Sequence, residues 1–179
     1  MDSFEALGAG PVTASLVVSA SGQATTAAGT SRGLGNKTDL ELLRWFRRRS
    51  EVILTSGLTA ELENYRLPSA AKLAILSREN RSYSSLAGNL KDVSFLQGID
   101  SFQTAVEHLN DIGYRRIHTE FGPTGFCALV SAQVVDGFVS SISPDGIKAF
   151  VRDNKLSALE PLLVEGELFV ARAVGRGNN

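Results

Sequence analysis

The sequence predicts an α/β fold built on a mostly parallel central sheet flanked by helices, with a C-terminal antiparallel hairpin. Three observations carry this. Short runs rich in Val, Ile, Leu and Ala recur without polar alternation, as in strands buried on both faces. Between them lie stretches with helical spacing that begin at residues able to cap a helix. One late segment, GELFVARAVG, alternates instead and reads as an antiparallel strand. At 179 residues the chain suits one buried core and is short for two ordinary domains, so residues 1–179 are read as one domain.

Taken in order, VTASLVVSA from Val12 is the first buried strand, closed by the Gly and Ser of SASG. From Gly22 to Lys37 the chain is almost all Gly, Ala, Ser, Thr and Asn, with Arg32 its only large side chain before Leu34. A loop this long inside a compact domain is often functional, so it is a candidate lid or substrate loop. Thr38 or Asp39 can cap the helix DLELLRWFRRRS, where Leu40, Leu43 and Phe46 or Arg47 keep helical spacing and the helix ends near Ser50. EVILTSG is a second buried strand, LTAELEN a helical turn, AKLAILS (Ala71–Ser77) a third strand and Val93–Leu96 a short fourth. Ser101 opens the helix SFQTAVEHLNDIGY, with Phe102, Val106 and Leu109 on one face and Gly113 as its C-terminal cap. RRIHTE is a strand, FGPTGFCALVSA a turn running into a helix, and VVDGFVSSISP a strand broken at Pro144. GELFVARAVG then closes the sheet as an edge strand against VVDGFVSSIS, and the tail from 175 to 179 is expected to be disordered.

Composition excludes several classes. Eighteen basic against nineteen acidic residues leave a net charge of −1, too little to attract nucleic acid or an anionic membrane, so any anion site must be local. The lone Cys127 cannot pair within the chain, and with only His108 and His118 beside it a closed zinc site is not available, which fits a reducing cytoplasm. MDSFEALGAGPVTASLVVSASG opens with acids and its apolar stretch is too short and interrupted to cross a bilayer. Neither histidine has a partner at catalytic spacing, so a Ser-His-Asp or Cys-His hydrolase is not indicated. Cys127, inside FCALV, reads as a small buried hydrophobe, and the run Arg47-Arg48-Arg49 as a solvated helix end.

In open α/β sheets ligands bind beyond the C-terminal ends of the parallel strands. Three such ends carry suggestive chemistry: Thr55-Ser56-Gly57-Leu58-Thr59, Ser77-Arg78 and Glu120-Phe121-Gly122-Pro123-Thr124. In the first and third a glycine precedes a helix start, where free N–H groups can face a phosphate. The second offers a hydroxyl and a guanidinium suited to a phosphate monoester. Each feature alone is more often an ordinary turn; their combination is what matters.

The stretch GTSRGLGNKTDLELLRWFRRRSEVILTSGLTAELENYR, followed by HTEFGPTGFCALVSAQVVDGFVSSISP, resembles the pyrimidine reductases of riboflavin biosynthesis over about Val12 to Pro144. Gly57-Leu58-Thr59-Ala60-Glu61 stands for that family's G-T-V-x-A-E turn, and Glu120-Phe121-Gly122-Pro123-Thr124 for its E-G-G-P-T turn. The resemblance implies a dihydrofolate-reductase-like fold, NADPH as cofactor, a homodimer, and reduction of the ribosyl chain of a phosphorylated diaminopyrimidine to a ribityl chain; the alternating GELFVARAVG, which would otherwise leave an apolar edge exposed, places the dimer contact at the C-terminal antiparallel strands. It implies that Gly57, Leu58 and Thr59 line the cofactor's pyrophosphate or ribose, that Ser77 and Arg78 hold the adenosine 2′-phosphate, and that Glu120, Gly122, Pro123 and Thr124 form the nicotinamide side of the pyrophosphate site. Substrate would lie against Ser19 and under the Gly22–Lys37 loop, with Arg32 and Arg66 available to a sugar phosphate. The hydride comes from the cofactor, so no catalytic side chain is singled out.

Two departures from the family pattern bear on this. Ser19-Ala20-Ser21-Gly22 stands where the family has S-L-D-G, replacing a carboxylate by a hydroxyl, and Phe121 replaces a glycine, putting a ring where it would either block the dinucleotide or stack on it. The alternatives are therefore a paralogous NADPH reductase with a different substrate, or a non-catalytic dimeric binding protein.

Overall fold

The computed structural model describes residues 3–79, 81–159 and 163–176. Its strands are β1 (Val12–Val18), β2 (Val52–Ser56), β3 (Lys72–Leu76), β4 (Val93–Leu96), β5 (Ile117–Thr119), β6 (Asp136–Ser141), β7 (Leu156–Ala158), β8 (Leu163–Glu165) and β9 (Leu168–Gly175). The helices are α1 (Lys37–Arg49), α2 (Gly57–Leu62), α3 (Phe102–Asp111), α4 (Pro123–Ser131) and α5 (Pro144–Asp153). One sheet joins the strands in the order β4-β3-β2-β5-β1-β6-β9-β7, with β8 also on β9. The first six are parallel, and β9 runs antiparallel to β6, β7 and β8. The α/β class, the mostly parallel sheet and the antiparallel C-terminal part are as the sequence predicts. No helix among the described residues is long and apolar enough to cross a membrane.

Both faces of the sheet are covered, which is why β2 and β3 need no polar alternation: Val52, Ile53, Leu54, Leu73, Ala74 and Ile75 are all at most 1% exposed. On one face α3, α4 and α5 pack Ala105, Val106, Leu109, Phe126, Leu129, Ile147 and Phe150 against the strands. On the other, α1 packs Leu42, Trp45 and Phe46 against Phe138 and Val170, while Ala60 and Tyr65 join Ile53, Leu73 and Ile75 in a second cluster. These two clusters are separate. Between them the strands present Thr13, Ser15, His118, Glu120 and Ser140, a polar seam along the middle of the sheet.

Four details differ from the sequence reading. The strand GELFVARAVG is an inner strand, because α5, capped by Ser143 with Pro144 at its start, carries the chain back so that β7 pairs on the outer side of β9. Pro144 thus begins a helix as well as ending a strand. The cap of α1 is Asn36, whose side chain accepts from Asp39 N–H at 3.0 Å, leaving Asp39 free to face elsewhere. In that helix Leu40 is 52% exposed, and the buried face is Leu42, Trp45 and Phe46. Of the tail, Gly175 is the last residue of β9 and Arg176 donates to the Leu156 carbonyl, while 177–179 lie outside the described residues.

Candidate active site

Where the two apolar clusters part, a cleft of about 1110 Å³ opens over the polar seam, between α1, the α2 region and the Gly22–Lys37 loop. Its floor includes Ser15, Arg47, Tyr65, Glu120 and Ser140, and its mouth carries the half-exposed leucines Leu40, Leu58 and Leu62. The apolar lip suits a flat ring and the floor suits hydrogen bonding, the usual division in small-molecule sites.

Arg47 is the organiser of the floor. Its Nε donates to Glu120 Oε1 at 2.7 Å and its Nη2 to Glu120 Oε2 at 2.6 Å, a bidentate pair. Nη2 also donates to the Tyr65 hydroxyl, which in turn donates to Glu120. Burial pushes the Glu120 carboxyl up, but the Arg47 hydrogen bonds and charge outweigh it and hold Glu120 below the ordinary carboxylate range. Tyr65 is held well above the ordinary phenol range, by burial first and the Glu120 charge second. Arg47 therefore turns inward from the triplet read as a solvated helix end. Helical phase explains it, since Asp39, Leu43 and Arg47 follow at four-residue steps and share the cleft-facing side.

His118 lies beneath this pair, wholly buried and stacked on Phe46 with ring centroids 4.7 Å apart. Its Nδ1 is 2.8 Å from Thr13 Oγ1 and its Nε2 is 3.1 Å from Ser15 Oγ. Burial pushes it down to about 4. Ser15, His118 and Glu120 look superficially like a hydrolytic triad, but the geometry is wrong for one. Glu120 approaches the same Nε2, at 3.9 Å, that Ser15 uses, its charge is committed to Arg47, and an imidazole this hard to protonate is a poor base. Among the described residues there is also no cluster that could hold a metal ion. Cys127 is half-buried against the core, and burial pushes its thiol up, as expected of a structural cysteine.

The long loop is tied across the cleft to the end of α2. Ser31 N–H donates to the Glu63 carboxylate, and Arg32 donates to the Glu63 carbonyl at 2.7 Å with its Nε 3.8 Å from the carboxylate. Arg32 thus lines the cleft but is already engaged. Arg66 lines the mouth, is exposed, and carries no ion pair among the described residues. Ser19 stands past the end of β1 and outside the cleft lining, its hydroxyl accepting from the N–H groups of Ser21 and Gln23.

Of the residues assigned to a cofactor, Leu58, Thr59, Glu120, Gly122 and Pro123 line the cleft together. A Cβ placed on Gly122 would lie 3.7 Å from Thr59 Oγ1, so the starts of α2 and α4 face one another. Gly57 sits behind them, where a Cβ would fall 2.4 Å from Ser77 Oγ: its missing side chain is what lets β3's exit pack against α2. Ser77 and Arg78 follow β3 outside the main cleft, Ser77 donating to the Glu79 carbonyl and Arg78 exposed. Thr124 is exposed in the first turn of α4. Phe121 borders the cleft, but its ring turns away from it into the core. Its ring is 4% exposed and packed 4.6 Å from Phe102, and glycine at 125 makes room for it, since a Cβ there would lie 2.6 Å from Phe121 Cβ.

No family model and no curated protein matches the chain. Solved structures do. A pyrimidine reductase-like protein from Corynebacterium diphtheriae superposes with a TM-score of 0.63 at 18% identity, over 96% of this chain and 94% of that one. RibD of Acinetobacter baumannii gives 0.69 at 15% identity, over 93% of this chain and 58% of its own length. The chain has the fold of the riboflavin-biosynthesis pyrimidine reductases. The yeast riboflavin biosynthesis reductase Rib7, from Saccharomyces cerevisiae, adds a third case, with a TM-score of 0.65 at 12% identity over 93% of this chain and 90% of that one. What is common to this chain and these pyrimidine reductases is the dihydrofolate-reductase-like arrangement of the sheet and helices, and the chain spans little more than half of RibD.

Proposed function

We propose that the protein is an NADPH-dependent reductase whose substrate is a phosphorylated pyrimidine or a related heterocycle. The observation that carries this is the meeting of two helix starts over the cleft. α4 begins at Gly122 with no side-chain cap, so the N–H groups of its first turn after Pro123 are left for a ligand, on the side where Gly122 faces Thr59. A diphosphate fits there. On this reading Leu58 and Thr59 hold one side of the dinucleotide, and Gly122, Pro123 and Thr124 the other. Gly57 lets Ser77 reach the same end of the sheet, and Ser77 and Arg78 take the adenosine 2′-phosphate. Glu120 acts through Arg47, because both its oxygens are occupied there. A bound nicotinamide supplies the hydride; the protein orients the acceptor carbon against the leucine lip and excludes water with the Gly22–Lys37 loop.

Arg66, and Arg32 once released from Glu63, would take the substrate phosphate. The hydroxyls of Ser19 and Ser21 are bonded to each other at 3.0 Å, with no carboxylate beside them, which favours a substrate altered at that contact and keeps the paralogue reading in play. The non-catalytic reading loses its motive with Phe121 packed inward.

The test is titration with NADPH and NADH separately. NADPH should bind at least about tenfold more tightly, and Ser77→Ala with Arg78→Ala should abolish the difference. A folded protein that binds neither cofactor would refute the proposal. The reading includes a homodimer across the β7–β8 edge, where Leu159 and Val164 are 48% and 60% exposed. A one-chain mass by light scattering at micromolar concentration would refute that part.

A further inference from the structure

His118 is wholly buried in the sheet and takes no part in the hydride transfer described above. It joins two hydroxyls of β1, with Thr13 Oγ1 at 2.8 Å from its Nδ1 and Ser15 Oγ at 3.1 Å from its Nε2. The two ends of this row differ. Thr13 is 5% exposed, whereas Ser15 is half-buried and lines the cleft. Resting on the reductase reading, we propose that the row fixes Ser15 as a hydrogen-bond donor to an acceptor on the substrate ring, a carbonyl oxygen or an unprotonated ring nitrogen. His118 is then a positioning residue, acting through Ser15.

The direction of the row follows from what each hydrogen can reach. Burial keeps the imidazole neutral, so one ring nitrogen carries a hydrogen and the other accepts one. If Ser15 donates to Nε2, then Nδ1–H donates to Thr13 Oγ1 and the Thr13 hydroxyl hydrogen is left over. Thr13 has no other hydrogen-bond partner among the described residues, and a buried hydroxyl hydrogen without an acceptor is costly. If instead Thr13 donates to Nδ1, then Nε2–H donates to Ser15 Oγ, and the hydrogen left over belongs to Ser15, the member that opens on the cleft. The charges select this second arrangement as well. Glu120 Oε1 stands 3.9 Å from Nε2, and at the ring its charge outweighs that of Arg47. A hydrogen on Nε2 faces that anion favourably, where a bare nitrogen would turn its lone pair toward it. Phe46, stacked on the ring with planes 4° apart, fixes the plane in which both nitrogens point.

The other hydroxyls of the floor are already spent. Tyr65 donates to Glu120 and Ser140 to Asp39 Oδ1, so of these three Ser15 keeps an O–H for a ligand. Arg47 is likewise committed, to Glu120 and Tyr65. The floor therefore reads the ring with an uncharged donor of fixed direction. A carbonyl suits it. An amino group at the same point could bond only by leaving the Ser15 hydrogen unpaired, so the site favours an oxo ring over its amino counterpart.

The experiment has two arms. In the first, the tautomer of His118 is read in the ligand-free protein at neutral pH by long-range proton–nitrogen correlation NMR. The expected hydrogen is on Nε2; a hydrogen on Nδ1 overturns the proposal whatever the substrate. In the second, NADPH oxidation is followed with phosphoribosylaminouracil. Ser15→Ala should raise KM about three- to tenfold, the loss of one hydrogen bond, with NADPH affinity kept within about twofold, and Ser15→Thr should restore most of it. His118→Phe keeps the ring and its stack on Phe46 while removing both nitrogens. It should raise KM comparably, and Ser15→Ala added to it should cost less than Ser15→Ala alone. A Ser15→Ala protein with wild-type KM, or effects at the two positions that simply multiply, overturns the proposal. If His118→Phe does not fold, the tautomer and the Ser15 pair of variants decide. A wild type that binds no NADPH refutes the reductase reading itself, a result distinct from either failure of Ser15.

Discussion

Replacing His118 with asparagine should remove about 3 kcal/mol from the protein's loss of stability between pH 7 and pH 4. His118 is wholly buried, and burial sets its pKa at about 4 against an ordinary 6.5. Between those values the unfolded chain carries an imidazolium that the folded chain refuses. The unfolded state then binds more protons, so stability rises with pH across the window and falls as pH drops through it. At about 1.4 kcal/mol per unit, the difference between 6.5 and about 4 amounts to about 3 kcal/mol. Below about pH 4 the folded histidine protonates too and the effect levels off. Asparagine keeps a donor and an acceptor for Thr13 and Ser15 without titrating. The assay is urea unfolding of both proteins at half-unit pH steps. Other groups titrate in both, so the quantity to read is the gap between the two curves. Asparagine costs stability at pH 7, and that cost should shrink by about 3 kcal/mol on the way to pH 4. Parallel curves would refute the reasoning, because they would mean that His118 titrates alike in the folded and unfolded chains.

Arg47→Met should cost about 3–5 kcal/mol at neutral pH by stranding the buried Glu120 carboxylate, and the cost should diminish on acidification as Glu120, deprived of its cation, takes a proton; a pH-independent loss in chemical denaturation would contradict this. Gly57→Ala places a Cβ 2.4 Å from Ser77 Oγ and 2.8 Å from the Tyr83 hydroxyl, so it should destabilise by about 1–3 kcal/mol and weaken NADPH binding, where an unchanged thermal midpoint would mean that the exit of β3 gives way freely. Glu63→Ala frees the Ser31 N–H and removes the Arg32 ion pair, leaving only the Arg32 bond to the carbonyl of residue 63, and proteolytic nicking between Gly22 and Lys37 should quicken about tenfold; equal rates would show that the loop is held by other contacts.

Most of the sheet could be read from the chain because buried parallel strands are local signals: VILTS and KLAIL are apolar on both faces wherever they sit. The helix α5 is harder to read because Pro144 also reads as a strand stop, although Ser143 before it and Ile147, Phe150 and Val151 after it are the marks of a capped amphipathic helix. With that helix absent, β9 had to be placed at the edge. The glycines at strand exits were legible for the same reason as the strands, and Leu58, Thr59, Gly122 and Pro123 do converge. The floor was not legible. Arg47 and Glu120 are 73 positions apart, and nothing local distinguishes Arg47 from Arg48 and Arg49 except its phase with Asp39 and Leu43. Against the family pattern Phe121 reads as an intrusion, because the glycine that accommodates its ring stands four residues later, at Gly125.

β1 has a consequence for the order in which the molecule assembles. It is the first strand, yet Thr13 pairs with His118 on one side and Asp136 on the other, and it has no neighbour nearer in sequence. β2 and β3, by contrast, match Val52 to Lys72 across a short crossover. Loop closure favours the near pair, so β2–β3 should form early while residues 12–18 wait, apolar and unpaired, for the strands more than a hundred positions downstream. That waiting segment is the natural target for a chaperone, or for aggregation, during refolding. Thr13 and Ser15 come with it, so the hydroxyls that seat His118 arrive only when the sheet closes, and the chemistry of the cleft matures in the final step of folding.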